Sequence, residues 1–229
     1  MGRYSDKEAE RLLAEIQKNT LNMDDTFIFG CKMCGSCCRK RQDPIILTGY
    51  DVYSIAKHLG IAPVEVLKEY TECYEGSDSF LPIVVLKERP DGSCKLLRKG
   101  HCTVQENKPL VCRLYPLGRY SQGEDFKYFK QEACIGKGEE IKVRDWLEQF
   151  HIFDYDKVSL LWSKLIMSAA MYMRELRLNK KDNATANEFY KACVGVFYVI
   201  YDMDAPPEES LKEGIAYLER TFRGFKVKM

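Results

Sequence analysis

The sequence predicts a helix-dominated α+β fold in which an irregular cysteine-rich region with short strands packs against a C-terminal helical bundle. Three observations lead there. Four cysteines, Cys31, Cys34, Cys37 and Cys38, stand within eight residues, prolines and glycines interrupt residues 79–138 every few positions, and helical spacing of apolar residues resumes after Val143. With 229 residues, 45% of them hydrophobic and 30% charged, the chain is too apolar to be disordered and suits one compact domain or a domain with a sizeable extension. Two regions are expected: residues 1–140, an N-terminal helix plus the cysteine-rich core, and residues 141–229, a helical extension packed on it.

Ser5 followed by Glu8 makes a capping box, and Leu12, Leu13, Ile16 and Leu21 lie near helical spacing, so residues 5–22 read as an amphipathic helix. Thr48 and Asp51 cap a short helix that carries Val52, Ile55, Ala56 and Leu59 and stops at Gly60; Pro63 opens another to about Tyr70. The broken middle accommodates only short strands: residues 83–86, 95–97, and a hairpin from 118–120 through Ser121-Gln122-Gly123 to 126–129. Val158, Leu161, Leu165, Ala169, Met173 and Leu176 mark a long helix with one buried face. A second helix from Asn183, apolar all round at Phe189, Cys193, Val196, Phe197 and Ile200, must be sandwiched between neighbours; Leu211, Ile215, Leu218 and Phe222 mark a final one.

Lysine plus arginine (35) nearly balances aspartate plus glutamate (34), which excludes a polybasic nucleic-acid clamp acting through the whole chain. The charged opening Met1-Gly2-Arg3-Tyr4-Ser5-Asp6 has no apolar stretch behind it, and Asp6 stands where a myristoylation signal needs Ser or Thr. The longest apolar run, residues 192–201, is half of the roughly 20 that cross a bilayer. A cytoplasmic protein that does not engage a membrane is therefore expected, and in a reducing compartment clustered thiols serve metals or redox chemistry rather than disulfides.

Cys31-x-x-Cys34-Gly35-x-Cys37-Cys38 has the spacing that lets a tight turn aim two sulfurs at one metal. The same loop resembles a zinc knuckle, while Cys31, Cys34 and Cys37 equally match the run that wraps an iron–sulfur cube. The spacing is compatible with both. Adjacent side chains of an extended backbone point to opposite faces, so Cys37 and Cys38 more easily serve two centres, or one larger cluster, than one ion. Cys94, Cys102, Cys112 and Cys134 bring the candidate ligands to eight, enough for two four-thiolate sites and enough to staple a middle region that cannot bury much apolar surface unaided. Residues 94–119 carry Lys95, Arg98, Lys99, Lys108, Arg113 and Arg119 against Glu106 alone, and residues 31–43 carry Lys32, Arg39, Lys40 and Arg41 against Asp43. Cations so placed keep thiolates ionised; the alternative is a solvated basic face or a weak nucleic-acid patch, for which no aromatic-interleaved motif speaks.

Together with Lys108-Pro109-x-x-Cys112-Arg113-x-Tyr115-Pro116 and Cys134-x-Gly136-x-Gly138, these cysteines give residues 27–138 a resemblance to the YkgJ-type cysteine-cluster family, the CxxCxxCC zinc- or iron-chelating domain. The resemblance implies that the eight cysteines form the metal site, and its relatives include flagellin lysine N-methylases. Gln105 stands where that family usually has Tyr, and Lys108 where it usually has Arg. The helices after about Val143 lie outside it.

The remaining candidates are weaker. Arg113 and Tyr115, beside Cys112, are placed to support a bound cofactor by hydrogen bonds to sulfur, or to shape the turn before Pro116. Cys73 and Cys193 are read as packing residues on apolar helical faces, and His101 as a surface or hydrogen-bonding residue. Gly136-x-Gly138 lacks the strand and helix of a nucleotide loop, and the cysteine spacing is not that of radical S-adenosylmethionine enzymes. No thiol is separable from the ligand set as a nucleophile. Three functions follow as expectations. The first is metal handling, electron transfer or cluster-dependent assembly on iron–sulfur or iron, with zinc as the alternative. The second is a lysine N-methylase-like enzyme using S-adenosylmethionine. The third is a zinc-stapled module that binds a protein partner through its C-terminal helices.

Overall fold

The computed structural model describes residues 6–39, 44–122, 125–131, 138–178 and 183–227. Cys134, Gly136, Ser5, Lys40, Arg41 and the Gly123 turn position lie outside them. Helix α1 (Asp6–Lys18) ends earlier than the apolar spacing suggests, because Thr20 and Leu21 leave it to form strand β1 (Thr20–Leu21). Its Leu12 and Leu13 stay exposed, so tertiary pairing of Leu21 overrides helical propensity. Strand β2 (Thr26–Phe29) leads into the cysteine loop and a single helical turn, α2 (Ser36–Arg39). Next come β3 (Ile46–Leu47), α3 (Gly49–Leu59), α4 (Pro63–Tyr70), β4 (Thr71–Glu75) and β5 (Pro82–Leu86).

Helix α3 begins as its sequence dictates. Thr48 Oγ1 accepts from Asp51 N at 3.2 Å, Asp51 accepts from Thr48 N at 2.8 Å, and the helix stops at Gly60 with φ 65°. Helix α4 opens on Pro63 and runs to Tyr70, as expected. Strands β3 and β4 flank β5 in an antiparallel sheet, and Cys73 sits in β4, paired with Val84, not on a helix. It is exposed, as are all residues of this edge strand after Thr71.

The strand expected at residues 95–97 is shifted: β6 (Leu97–Arg98) pairs with β7 (His101–Cys102) around Lys99 and Gly100, with φ 48° and 84°. Two consecutive left-handed residues are what a two-residue hairpin turn needs, and Gly100 supplies one of them without steric cost. A 3-10 turn at Gln105–Asn107 precedes α5 (Leu110–Leu114). The expected hairpin follows as β8 (Leu117–Gln122) and β9 (Asp125–Lys130), to which β1 adds a third strand, while β10 (Glu139–Lys142) pairs with β2.

The helical part consists of α6 (Val143–Gln149), α7 (Ile152–Leu178), α8 (Asn183–Val194) and α9 (Pro207–Thr221). The apolar run after α8 does not continue as an α-helix. Residues Gly195–Val199 form a π turn, closed by Ile200 N donating to Gly195 O at 3.0 Å. Against this turn lies the start of α3, where a Cβ at Gly49 would stand 1.9 Å from Phe197 O and 2.2 Å from Tyr201 Oη; only glycine permits that approach. One core unites Val52, Ile55, Val84, Leu96 and Cys94 with Leu165, Phe189, Phe197 and Leu218, so the helices are packed on the cysteine-bearing part. A second core gathers Phe27, Phe29, Leu114, Tyr128 and Trp146, with Phe27 and Phe29 both edge-on to Trp146.

Candidate metal centre

Three chain segments bring thiols together. The first is the loop after β2. Met33 and Gly35 take left-handed backbone, φ 48° and 68°, and Gly35 O then accepts Cys38 N at 3.0 Å to start α2. Arg39 turns back and donates from Nη1 to Cys34 O at 2.7 Å. The second segment is the β6–β7 hairpin with its approach. Cys94 N donates to Cys38 O at 2.7 Å, which fastens it to the first segment, and Cys102 opposes Leu97 in the ladder. The third is α5, which carries Cys112.

The sulfurs of Cys37 and Cys38 are 4.0 Å apart. Zinc–sulfur bonds of about 2.3 Å at tetrahedral angles separate two sulfurs by about 3.8 Å, so this pair already spans nearly one edge of a thiolate tetrahedron. Cys38 lies within electrostatic reach of Cys94 and Cys112, Cys102 of Cys94 and Cys37, and Cys112 of Cys94 and Cys102. Electrostatic interactions thus link Cys37, Cys38, Cys94, Cys102 and Cys112, and Cys34 interacts with Cys37. Cys31 is exposed on the loop. Among the described residues, no three His, Cys, Asp or Glu are already closed to chelating separation.

Protonation follows surroundings. Cys38 and Cys37 share a proton: the hydrogen bond between them holds Cys37 down to about 6, against burial and with help from Lys108, and pushes Cys38 up. Burial raises Cys102, and raises Cys112 to about 12. The Ser36 side chain, 3.2 Å from Cys34 Sγ, lowers that thiol. The donor set fits a soft metal: clustered sulfurs, several of them protonated, with the Lys108 cation acting on Cys37, Cys102 and Cys112. A divalent ion displaces those protons on binding.

Residues 30–135 match the family model described as CxxCxxCC: Putative zinc- or iron-chelating domain. That stretch is similar to the CxxCxxCC family. No curated protein and no solved structure matches the chain.

Within this stretch, Arg113 and Tyr115 have structural partners. Arg113 is buried; it donates from Nε to Lys108 O at 2.9 Å, from Nη2 to Asn107 Oδ1 at 3.2 Å and from Nη1 to Phe150 O at 3.4 Å, with its guanidinium 4.8 Å over the Tyr155 ring. Tyr115 packs edge-on to Phe29 and precedes Pro116. His101 is exposed on β7, and Cys193 is fully buried on α8. Two residues named in the sequence take a more specific place in the structure. Lys108, one of several cations near the cysteines in sequence, is the one that acts on Cys37, Cys102 and Cys112. Asp51 was read as a helix cap, yet its Oδ1 also accepts Leu110 N at 2.8 Å and so fixes α5. Among the described residues, no helix is long and apolar enough to cross a membrane.

Proposed function

We propose that the chain is an iron–sulfur or iron protein whose ligands are drawn from Cys31, Cys34, Cys37, Cys38, Cys94, Cys102, Cys112 and Cys134, with zinc as the competing occupant. What supports this reading is that Cys37, Cys38, Cys94, Cys102 and Cys112, from three segments, interact electrostatically, with the Cys37 and Cys38 sulfurs 4.0 Å apart. Five interacting thiols exceed the four that a single structural zinc uses, which favours a polynuclear centre. Bound there, the metal supplies either an electron-accepting centre or a store of exchangeable ions. The protein positions it: Arg39 braces the first loop, the Cys94–Cys38 main-chain bond joins loop to hairpin, and Lys108 offsets thiolate charge. Metal handling, electron transfer or cluster-dependent assembly in the cytoplasm are the roles this chemistry serves.

Anaerobic purification followed by metal analysis and an absorption spectrum tests the reading. Brown protein with iron and acid-labile sulfide is expected. Colourless protein containing zinc alone contradicts the iron reading, and metal-free protein contradicts the site.

A further inference from the structure

A half-open cleft of about 430 Å³ lies between α3 and the turn that enters α9. That size falls within the range of small-ligand sites, and junctions between packed units are where such sites occur. One wall is a single face of α3, carrying Tyr50, Tyr53, Ser54 and Lys57; the other is Asp204 with residues 205–207, and Asn107 closes one end.

Two tyrosines, Tyr50 and Tyr53, line one wall of the cleft. Tyr50 and Tyr53 stack with centroids 5.9 Å apart and planes 28° from parallel, and Tyr155 supports Tyr50 at 4.3 Å. The cleft also has two opposite charges on opposite walls. Lys57 Nζ donates to Tyr53 Oη at 3.0 Å, which fixes its direction and leaves two N–H groups for another acceptor. Tyr53 Oη in turn donates to Ala205 O at 3.2 Å and ties the walls together. Asp204 is close enough to influence Lys57, but the two are not joined in an ion pair. An anion alone would meet Asp204, and a cation alone would meet Lys57. A molecule carrying both charges satisfies both.

We propose that this cleft binds a free α-amino acid with a flat side chain: carboxylate to Lys57, ammonium to Asp204, and ring against Tyr50. The ligand would also touch Asn107, whose Oδ1 accepts from Arg113 next to Cys112, so the cleft adjoins the metal centre without sharing its ligands.

The test is titration of the metal-loaded 229-residue chain with L-phenylalanine, L-tyrosine and L-tryptophan, followed by calorimetry or ligand-observed NMR. Phenylalaninamide, which lacks the carboxylate, and N-acetylphenylalanine, which lacks the ammonium, serve as controls. Saturable binding of at least one free amino acid is expected, with the two phenylalanine derivatives each about tenfold weaker or more than the parent. Lys57→Met abolishes the preference over the amide, and Asp204→Asn abolishes the preference over the N-acetyl form. Both side chains are exposed, and unchanged thermal unfolding of both variants checks that they fold. Absence of saturable binding up to about 10 mM, a range that covers even millimolar affinity, overturns the proposal. So does selectivity that survives both substitutions.

Discussion

Asp51 Oδ1 accepts a hydrogen bond from Leu110 N at 2.8 Å, across 59 residues of sequence, while Asp51 Oδ2 accepts from Thr48 N and Thr48 Oγ1, each at 2.8 Å. One buried carboxylate thus caps α3 and anchors α5, the helix that presents Cys112. Asp51→Ala leaves the Leu110 amide buried without a partner. A loss of about 3 kcal/mol in unfolding free energy is expected, measured by urea denaturation, together with weaker metal retention.

Burial raises the Asp51 pKa above its ordinary value despite these hydrogen bonds. The folded state therefore holds the proton more tightly than the unfolded state. The contribution of Asp51 is most favourable below the ordinary carboxylate pKa and declines as pH rises through the raised folded value. Asp51→Asn keeps an acceptor and does not titrate. The stability of the native protein relative to Asp51→Asn should fall as pH rises above about 4; a relative stability that rises over that window contradicts the assignment.

Gly49→Ala tests the contact between the two parts of the chain. The added Cβ would stand 1.9 Å from a carbonyl oxygen of the π turn, which is backbone and yields only if the helix start moves. A loss of about 3 kcal/mol or more is expected from overpacking, read as a lowered thermal midpoint. Unchanged stability would mean that the α3 start and the π turn are not packed as described.

Arg119 joins β8 to α7: Nη1 lies 2.9 Å from Asp156 Oδ1, Nη2 donates to Ser159 Oγ at 2.7 Å, and the guanidinium lies 4.0 Å from the Phe126 ring centroid. Arg119 is mostly shielded from solvent, at 12% exposure. Arg119→Met keeps apolar bulk but leaves Asp156 unpaired, and should cost about 2 kcal/mol by denaturation. It should leave metal content unchanged, since the residue lies outside the thiol cluster.

Much of this architecture was legible in the sequence for local reasons. Thr48, Asp51 and Gly60 mark both ends of α3, Pro63 opens α4, and the spacing from Val158 to Met173 follows one face of α7. What escaped was non-local. Leu21 fits a helical period but pairs with Tyr128 in β9, and Cys73 pairs with Val84, a partner that its own neighbourhood does not announce. The cysteine spacing marked the candidate ligands as a group. It held no sign that Asp51 would secure the Cys112 helix, nor that Arg113 would turn to Asn107 and Phe150 O rather than toward sulfur.

If sulfur ligation holds the three segments together, Cys37→Ser and Cys112→Ser should each lose metal and thermal stability in parallel, because binding and folding share one free energy. Variants that keep both would show that these thiols are not ligands.

X-ray absorption at the iron and zinc edges of anaerobically purified protein tests the central claim most directly. A metal surrounded by sulfur at about 2.3 Å, with that shell lost or diminished in Cys112→Ser, is the result expected. A first shell of oxygen and nitrogen alone, or no metal at either edge, would contradict it.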